Sequence, residues 1–156
     1  QIRDPKVQAI LLGKLGKASE KKVHFVIDSN SSLMLLPPHF KISQLITIAG
    51  NLIDNAFEEV ANQRERDVSF FITDMGNDIV MEVADNGRGI SNDQIDKLFN
   101  KGFSTKGENR GYGLANVKEE VDSLGGYIEV NNPKTGGTVF TVILPKASQI
   151  QREEER

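Results

Sequence analysis

The sequence predicts an α+β fold, a two-layer α/β sandwich in which helices cover one face of a mixed, mostly antiparallel sheet. Two observations support this prediction. Apolar residues recur with the period of an α-helix over 42–62, which predicts the longest helix of the chain. Short apolar runs within 68–84 and within 127–144 turn back through segments that contain glycine, as the strands of hairpins do.

The N-terminal part predicts a helix, a strand and a loop before the long helix. Asp4 followed by Pro5 is typical of a helix N-cap with a first-turn proline, and the apolar spacing that follows predicts a helix to about Lys17. Residues 23–28 alternate apolar and polar side chains, which predicts a strand, and Ser/Asn-rich sequence after them predicts a loop.

The C-terminal part adds two hairpins and two helices. Ser91, followed by Gln94 at the third position after it, forms a capping box for a short helix through Phe99. A further helix over 114–124 is followed by two glycines that stop it. The four strands of the hairpins are predicted at 68–73, 79–84, 127–131 and 139–144.

Composition favours one domain and argues against several classes of function. With 156 residues, 38% of them hydrophobic, the chain can bury a single core. Its net charge of -3 provides no basic surface for nucleic acid, so no DNA or RNA partner is expected. There is no cysteine, which excludes disulfides and thiolate metal sites, and no apolar run approaches the length of a membrane span. We expect a soluble piece without membrane contact.

A polar stripe lies opposite the apolar face of the long helix and comprises Asn51, Asn55, Glu58 and Asn62. A solvated surface accounts for Glu58 and Asn62. The two asparagines nearer the middle are mediocre helix formers, and Glu or Lys would serve a surface helix better. An amide oxygen suits Mg²⁺, which keeps several waters and completes its shell with phosphate oxygens. Asn55 is therefore a candidate metal ligand.

The turn Asp85-Asn-Gly-Arg-Gly89 follows an apolar strand. Its glycines permit left-handed backbone and the close approach of a ligand. An ordinary turn before a capped helix explains most of this composition. It does not require a carboxylate at the strand end, and Asp85 could accept a hydrogen bond from an adenine amino group.

Residues 100–113 combine four glycines with Lys101, Lys106 and Arg110 and lead directly into the helix at Leu114. We expect a mobile lid, although a solvated loop that binds nothing has the same composition. Phosphates would fit at the helix N-terminus, where backbone N–H groups, the helix dipole and the nearby cations all favour an anion. The glycine patterns of Rossmann and P-loop nucleotide sites are absent.

Together these segments resemble the ATP-binding catalytic domain of sensor histidine kinases, in the superfamily of gyrase B, the Hsp90 chaperones and MutL. The resemblance covers nearly all of residues 20–146 and implies the Bergerat-type ATP-binding fold. Two segments, Lys101 to Gly107 and Asn51-Leu-Ile-Asp-Asn55-Ala, are most similar to the citrate and C4-dicarboxylate sensor kinases. The resemblance to the family rests on five segments. The first four are similar, in this order, to the N, G1, F and G2 boxes of these domains, and the fifth is similar to their terminal strand. The segments are Asn51-Leu-Ile-Asp-Asn55-Ala, Asp85-Asn-Gly-Arg-Gly89-Ile, Leu98 to Lys106, Gly111-Tyr-Gly113-Leu114 and Gly136 to Pro145.

The resemblance implies a role for each motif residue. Asn55 becomes the Mg²⁺ ligand, with Asn51 beside it near the phosphates. Asp85 binds the adenine amino group. Gly89 shapes the base pocket and Thr138 supports the base through water, and Gly87 is a further candidate nucleotide-binding residue. The phosphates are held by Lys106 and Arg110 and by the backbone at Gly111, Gly113 and Leu114. Phe99 and Phe103 belong to the segment similar to the F box, and packing in the lid and the core is the alternative for both.

Within the superfamily, Asn51 favours a kinase. Members that hydrolyse ATP generally carry Glu at this position, and a carboxylate can orient or deprotonate water whereas an amide cannot. Asn51 and Lys106 are therefore the candidate catalytic residues, because phosphoryl transfer to histidine needs mainly positioning and charge neutralisation. An anti-sigma-type serine kinase and a nucleotide-gated interaction module without phosphotransfer remain alternatives.

The phosphoacceptor is expected outside this chain. The only histidines, His24 and His39, fall in a predicted strand and a loop rather than in an acidic helix. We predict that 1–19 is the remnant of the second dimerisation helix, that 20–147 is the catalytic ATP-binding domain, and that 148–156 is a charged tail. The expected partners are a histidine-bearing dimerisation domain and a response regulator. The whole protein is expected to be a membrane-anchored homodimer with this domain in the cytoplasm.

Overall fold

The fold is a sheet of five strands covered by helices, as the sequence predicts. A computed structural model describes residues 1–100 and 113–147. The elements are α1 (Pro5–Lys21), β1 (His24–Ile27), α2 (Ile42–Glu59), β2 (Asp67–Thr73), β3 (Asp78–Asp85), α3 (Asn92–Ile95), α4 (Gly113–Ser123), β4 (Tyr127–Asn131) and β5 (Thr138–Pro145).

The sheet has the strand order β1-β2-β3-β5-β4. β1 pairs with β2 in parallel, whereas the three other pairings are antiparallel, so the predicted mixed and mostly antiparallel sheet is confirmed. Buried residues alternate along β3 and β5, which gives the sheet one apolar face. This face meets the apolar side of α2, and together they form the core.

α1 begins where the sequence predicts and ends later. The Asp4 carboxylate accepts hydrogen bonds from the backbone N–H groups of Lys6 and Val7 at 2.8 and 3.1 Å, as an N-cap does. The helix runs to Lys21 because the next residue, Lys22, takes a left-handed conformation with φ 57° and closes the C-terminus. Its buried residues pack on α2, so α1 shares the hydrophobic core of the domain.

α2 is shorter than predicted, and α3 is much shorter. α2 ends at Glu59 with Val60 as its C-cap residue, so Asn62 lies beyond the helix. The Ser91 hydroxyl accepts a hydrogen bond from the backbone N–H of Gln94 at 3.3 Å, which confirms the N-cap. The helix nevertheless stops at Ile95, and turns carry the chain to Phe99.

Phe99 is partly buried and packs against the core. Its ring meets that of Phe140 edge-on, with 6.4 Å between the ring centroids. Core packing is therefore observed for this residue, whereas Phe103 lies outside the described residues. Among the helices of the described part, none combines the length and the apolar character needed to cross a membrane.

Candidate functional site

Two buried polar residues lie at one end of the apolar face of the sheet. Asp85, the last residue of β3, lies directly opposite Thr138, the first residue of β5. They are 8% and 0% exposed, and each continues a row of buried apolar side chains on its own strand. The alternation along both strands predicts apolar side chains at these two positions. Burial of polar groups costs free energy unless hydrogen bonds compensate for it. A buried carboxylate beside a buried hydroxyl therefore makes this end of the core a candidate site.

The Asp85 carboxylate is fixed by the turn that follows it. Its Oδ1 atom accepts a hydrogen bond from the backbone N–H of Gly87 at 2.8 Å. Gly87 itself lies against the end of α2, where a Cβ atom would come 2.7 Å from the carbonyl oxygen of Glu59. The absence of a side chain at Gly87 therefore lets the turn pack against the helix that carries the predicted asparagines.

Gly89 lies where the same turn meets the connection between β4 and β5. Its φ of +83° is in the left-handed region that favours glycine. A Cβ atom there would come 3.2 Å from Oδ1 of Asn132 and 3.3 Å from the carbonyl oxygen of Gly137. The backbone is thus packed closely on one side of the predicted adenine position.

Asn132 is a site residue that the sequence reasoning missed. Its Oδ1 atom accepts a hydrogen bond from the backbone N–H of Ile90 at 3.0 Å, and its Nδ2 atom donates to the carbonyl oxygen of Ile90. Thr138 Oγ1 donates to the same Oδ1 at 3.5 Å. An asparagine before Pro133 is an ordinary turn signal. Nothing local indicates a partner 42 residues away.

The predicted residues Asn51 and Gly113 are in contact. The Asn51 Nδ2 atom donates to the carbonyl oxygen of Thr47 at 3.0 Å, so Oδ1 is the atom turned toward α4. A Cβ atom on Gly113, the first residue of α4, would come 3.2 Å from that Oδ1. The structure thus places an amide oxygen beside the N-terminus of an 11-residue helix. Leu114 follows Gly113 in the same helical turn.

Asn55 lies one turn after Asn51 on the same side of α2 and is half-buried. Glu58 is half-buried as well, so this part of the stripe is not the fully solvated surface that its polarity suggested, whereas Asn62 is exposed. Among residues 1–100 and 113–147, there is no cluster of three or more His, Cys, Asp or Glu side chains that could hold a metal ion. A Mg²⁺ ion here would rely on amide oxygens, water and phosphate.

Asp54 belongs to the same sequence motif yet faces α1. Its carboxylate pairs with Lys14 at 2.7 Å and with Lys17 at 3.0 Å. Burial raises the pKa of Asp54, but the hydrogen bonds and charges of the two lysines outweigh this effect and hold the pKa below its ordinary value. Asp54 therefore joins α1 to the helix that carries the site.

Several predicted phosphate contacts lie outside the described residues. The structure does not describe residues 101–112, which contain Lys106, Arg110, Gly111 and most of the predicted lid. It also does not describe residues 148–156, the predicted charged tail. Of the predicted phosphate-binding segment, the described part begins at Gly113 and Leu114.

A cavity of about 750 Å³ opens at the other end of the sheet, between residues 34–39 and the turn that joins β2 and β3. It is lined mainly by apolar side chains, and none of the predicted nucleotide residues lines it. Size alone would draw attention to this cavity. The buried polar pair and the glycine contacts described above lie instead at the Asp85 end of β3, and we take that end as the candidate site.

The candidate site combines three features. A buried carboxylate ends a strand, left-handed and closely packed glycines line one side, and a helix N-terminus lies beside amide side chains. Fold and site define an ATPase domain, and the family model described as histidine kinase-, DNA gyrase B- and HSP90-like ATPase matches residues 41–148. The chain belongs to this family.

Relatives of the chain include sensor kinases. It is 62% identical over 148 residues to the sensor protein CitS of Bacillus subtilis, which covers 95% of this chain and 27% of that protein. It is 36% identical over 145 residues to the sensor histidine kinase DcuS of Escherichia coli K12, covering 93% of this chain and 27% of DcuS. The resemblance drawn from the motifs is thereby confirmed. The chain spans about a quarter of the length of these relatives.

Solved structures confirm the fold. The nucleotide-free catalytic domain of the histidine kinase ThkA matches with a TM-score of 0.76 and 21% identity, covering 90% of each chain. ThkA in complex with the response regulator protein TrrA matches with a TM-score of 0.70 and 20% identity, over 90% of this chain and 39% of that one. At this identity the match shows the shared architecture.

Proposed function

We propose that this chain binds ATP with Mg²⁺ and presents the γ-phosphoryl group to a histidine on a dimerisation domain. The observation that carries the proposal is the buried pair Asp85 and Thr138 at the end of β3 and β5, where an apolar core face becomes polar. Membership in the ATPase family and the sensor-kinase relatives support it.

The adenine ring is proposed to lie against this pair. The Asp85 carboxylate accepts a hydrogen bond from the exocyclic amino group, and its orientation is set in advance by the backbone N–H of Gly87. Thr138 supports the base through a water molecule. Gly89 lets the turn pack against Asn132 and Gly137 beside the base, because a side chain there would meet both residues. Recognition of this kind prefers adenine, since the guanine edge presents a carbonyl oxygen where adenine presents an amino group.

The phosphates are proposed to lie between α2 and the N-terminus of α4. Backbone N–H groups at Gly113 and Leu114 point from the helix start, where the dipole favours negative charge. Asn55 supplies an amide oxygen to Mg²⁺, and Asn51 holds its oxygen beside the same helix start. Lys106, Arg110 and the backbone at Gly111 complete this set as sequence-based predictions. Mg²⁺, when bound, neutralises charge on the phosphate oxygens.

Transfer is favoured over hydrolysis because α2 offers no carboxylate at position 51. An amide can hold a phosphate or a metal ligand in place, but it cannot deprotonate water. A histidine imidazole is already a nucleophile, so the catalytic requirement falls on positioning and on charge neutralisation. Asn51 and Lys106 are the residues proposed for these tasks.

The partners and setting of the whole protein are also proposals. ThkA, a histidine kinase of this fold, forms a complex with the response regulator protein TrrA, and we propose a response regulator as partner of the protein that carries this chain. We further propose a membrane-anchored homodimer in which this domain lies in the cytoplasm. Residues 20–147 form the catalytic part, 148–156 a charged tail, and 1–19 the end of the preceding dimerisation helix, here packed on α2.

A phosphotransfer assay tests the proposal. The chain is mixed with ATP, Mg²⁺ and a histidine-bearing dimerisation fragment of a CitS-type kinase, and the fragment is analysed for phosphate. Labelling that is labile to acid, as phosphohistidine is, is the expected result, and the Asp85→Asn variant should give none. Acid-stable labelling of a serine would contradict the assignment. Nucleotide binding without any transfer would also contradict it, provided that a longer active kinase labels the same fragment.

A further inference from the structure

We propose that Asn132 is a positioning residue for nucleotide binding, which fastens the turn after β3 to the start of β5 and so holds the adenine pocket in shape. The inference rests on the proposed function, since it assigns a role at the same site. It concerns a side chain outside the motifs that identify the family.

The first argument is the double hydrogen bond to one residue. Asn132 accepts from the backbone N–H of Ile90 at 3.0 Å and donates to the carbonyl oxygen of the same residue. A side-chain amide carries the same donor and acceptor as a peptide group, so this pair acts like one rung of a β-ladder. It joins two chain segments that have no strand pairing between them in the described structure.

The second argument is the link to the buried polar pair. Thr138 donates through Oγ1 to the oxygen of Asn132 at 3.5 Å, a long bond but one made by a side chain with no exposed surface. Thr138 also lies opposite Asp85 in the register of β3 and β5. One amide oxygen therefore connects the turn that contains Gly89 to the residue that faces the adenine-binding carboxylate.

The third argument is the lack of space around this connection. A Cβ atom at Gly89 would come 3.2 Å from Oδ1 of Asn132. Gly137, with φ +82°, packs so closely on the carbonyl oxygen of Asp85 that a Cβ atom there would overlap it. Three backbone segments thus meet at one point, and Asn132 supplies the side chain that bonds them together.

Removal of the Asn132 amide should act on binding more than on the chemical step. Without it the N–H and C=O of Ile90, a buried residue, lose their partners, which costs free energy and loosens the turn. The turn then has to be ordered when nucleotide binds. Because Asn132 lies with the residues of the adenine end, this cost should be the same for ATP and ADP. Removal of the amide should leave the position of the γ-phosphoryl group unchanged once the chain is saturated with ATP.

The experiment compares Asn132→Ala and Asn132→Asp with Asn131→Ala in the 156-residue chain. Asn131 is the matched control, because it is the same residue type at the exposed end of β4. We expect Asn132→Ala to weaken binding of both ATP and ADP about tenfold, the equivalent of about one lost hydrogen-bond pair. Asn132→Asp keeps the acceptor and loses the donor, so about threefold is expected. Asn131→Ala should bind as the wild type does.

The kinetic readout separates positioning from a general loss of structure. In the transfer assay to a histidine-bearing fragment, KM for ATP should rise with the affinity change while kcat stays within about twofold of wild type. Wild-type affinity in folded Asn132→Ala overturns the inference, and so does an equal fall in kcat. If Asn132→Ala does not fold, wild-type affinity in Asn132→Asp overturns it instead. A wild-type chain that binds no nucleotide would instead refute the proposed function on which the inference rests.

Discussion

Gly113 and Asn51 are in contact across two helices, and this contact joins two sequence motifs that lie far apart along the chain. A Cβ atom at position 113 would come 3.2 Å from Oδ1 of Asn51, tighter than most side-chain contacts. The Asn51 amide is held on its other side by the carbonyl oxygen of Thr47. The helix start can therefore approach α2 closely because residue 113 has no side chain.

Gly113→Ala should weaken ATP binding several-fold while changing the stability of the fold little. The new methyl group displaces the Asn51 amide by a few tenths of an ångström, which disturbs the proposed phosphate position, whereas alanine is a better helix former than glycine. Titration with a fluorescent ATP analogue measures the first effect and thermal unfolding the second. Gly16→Ala on α1 is the control, since nothing lies within 4 Å of a Cβ there. Affinity equal to wild type would show that the contact has no bearing on the nucleotide.

Asp85→Asn should abolish adenine nucleotide binding and leave the fold intact. Asparagine keeps an oxygen for the backbone N–H of Gly87, which preserves the turn. It presents an amide that no longer provides a charged acceptor for the adenine amino group. Isothermal titration with ATP and ADP measures the loss. Asp78→Asn, at the opposite end of the same strand, should retain wild-type affinity.

Gly87→Ala should destabilise the fold by about 1–3 kcal/mol, the cost of forcing an extra group into a packed site. A Cβ atom there would come 2.7 Å from the carbonyl oxygen of Glu59, and backbone cannot move aside as a flexible side chain can. Urea unfolding gives the free-energy difference. Gly76→Ala, in the turn between β2 and β3, has nothing within 4 Å and should stay within about 0.5 kcal/mol of wild type. Equal stability of the two variants would mean that the close packing is not as described.

Asp54 should make a small contribution to stability that is lost in acid. Its pKa in the folded chain lies below the ordinary value of 3.8, so the folded state binds this proton more weakly than the unfolded state. The contribution is complete well above 3.8 and disappears as the pH falls through the lowered pKa. Because the carboxylate is partly exposed, solvent limits the effect to about 0.5 kcal/mol.

Urea unfolding of wild type and Asp54→Asn at about pH 6 and about pH 3 measures this contribution. The variant should be less stable at the higher pH, and the two proteins should converge at the lower one. A difference that grows in acid would reverse the sign and contradict the lysine pairing.

Much of the fold could be predicted because its signals are local. The alternation along β3 and the periodicity of α2 depend on neighbouring residues and gave both elements correctly. Element ends were less accurate. α1 ends only at Lys21, where Lys22 takes a left-handed conformation, and α2 stops at Glu59, three residues before its predicted end. Neither event is visible in composition.

The candidate site likewise contains residues that local sequence signals identify and residues that they do not. Asp85 and Thr138 were identified by motif, and the sheet register places them opposite each other. Asn132 was missed because its partner, Ile90, is remote in sequence, and its own neighbourhood is that of an ordinary turn. Gly87 was assigned to the pocket, whereas its closest packing is against the helix end. Contacts between remote segments decide these roles.

Backbone amide chemical shifts of the 156-residue chain, followed during titration with ATP and Mg²⁺, test the central claim most directly. We predict that the largest changes fall at Gly87, Gly89, Thr138 and Gly113, which surround the proposed adenine and phosphate positions. We also predict that they are lost in Asp85→Asn. Changes confined to the cavity between residues 34–39 and the β2–β3 turn, or no changes at saturating nucleotide, would contradict the placement of the site.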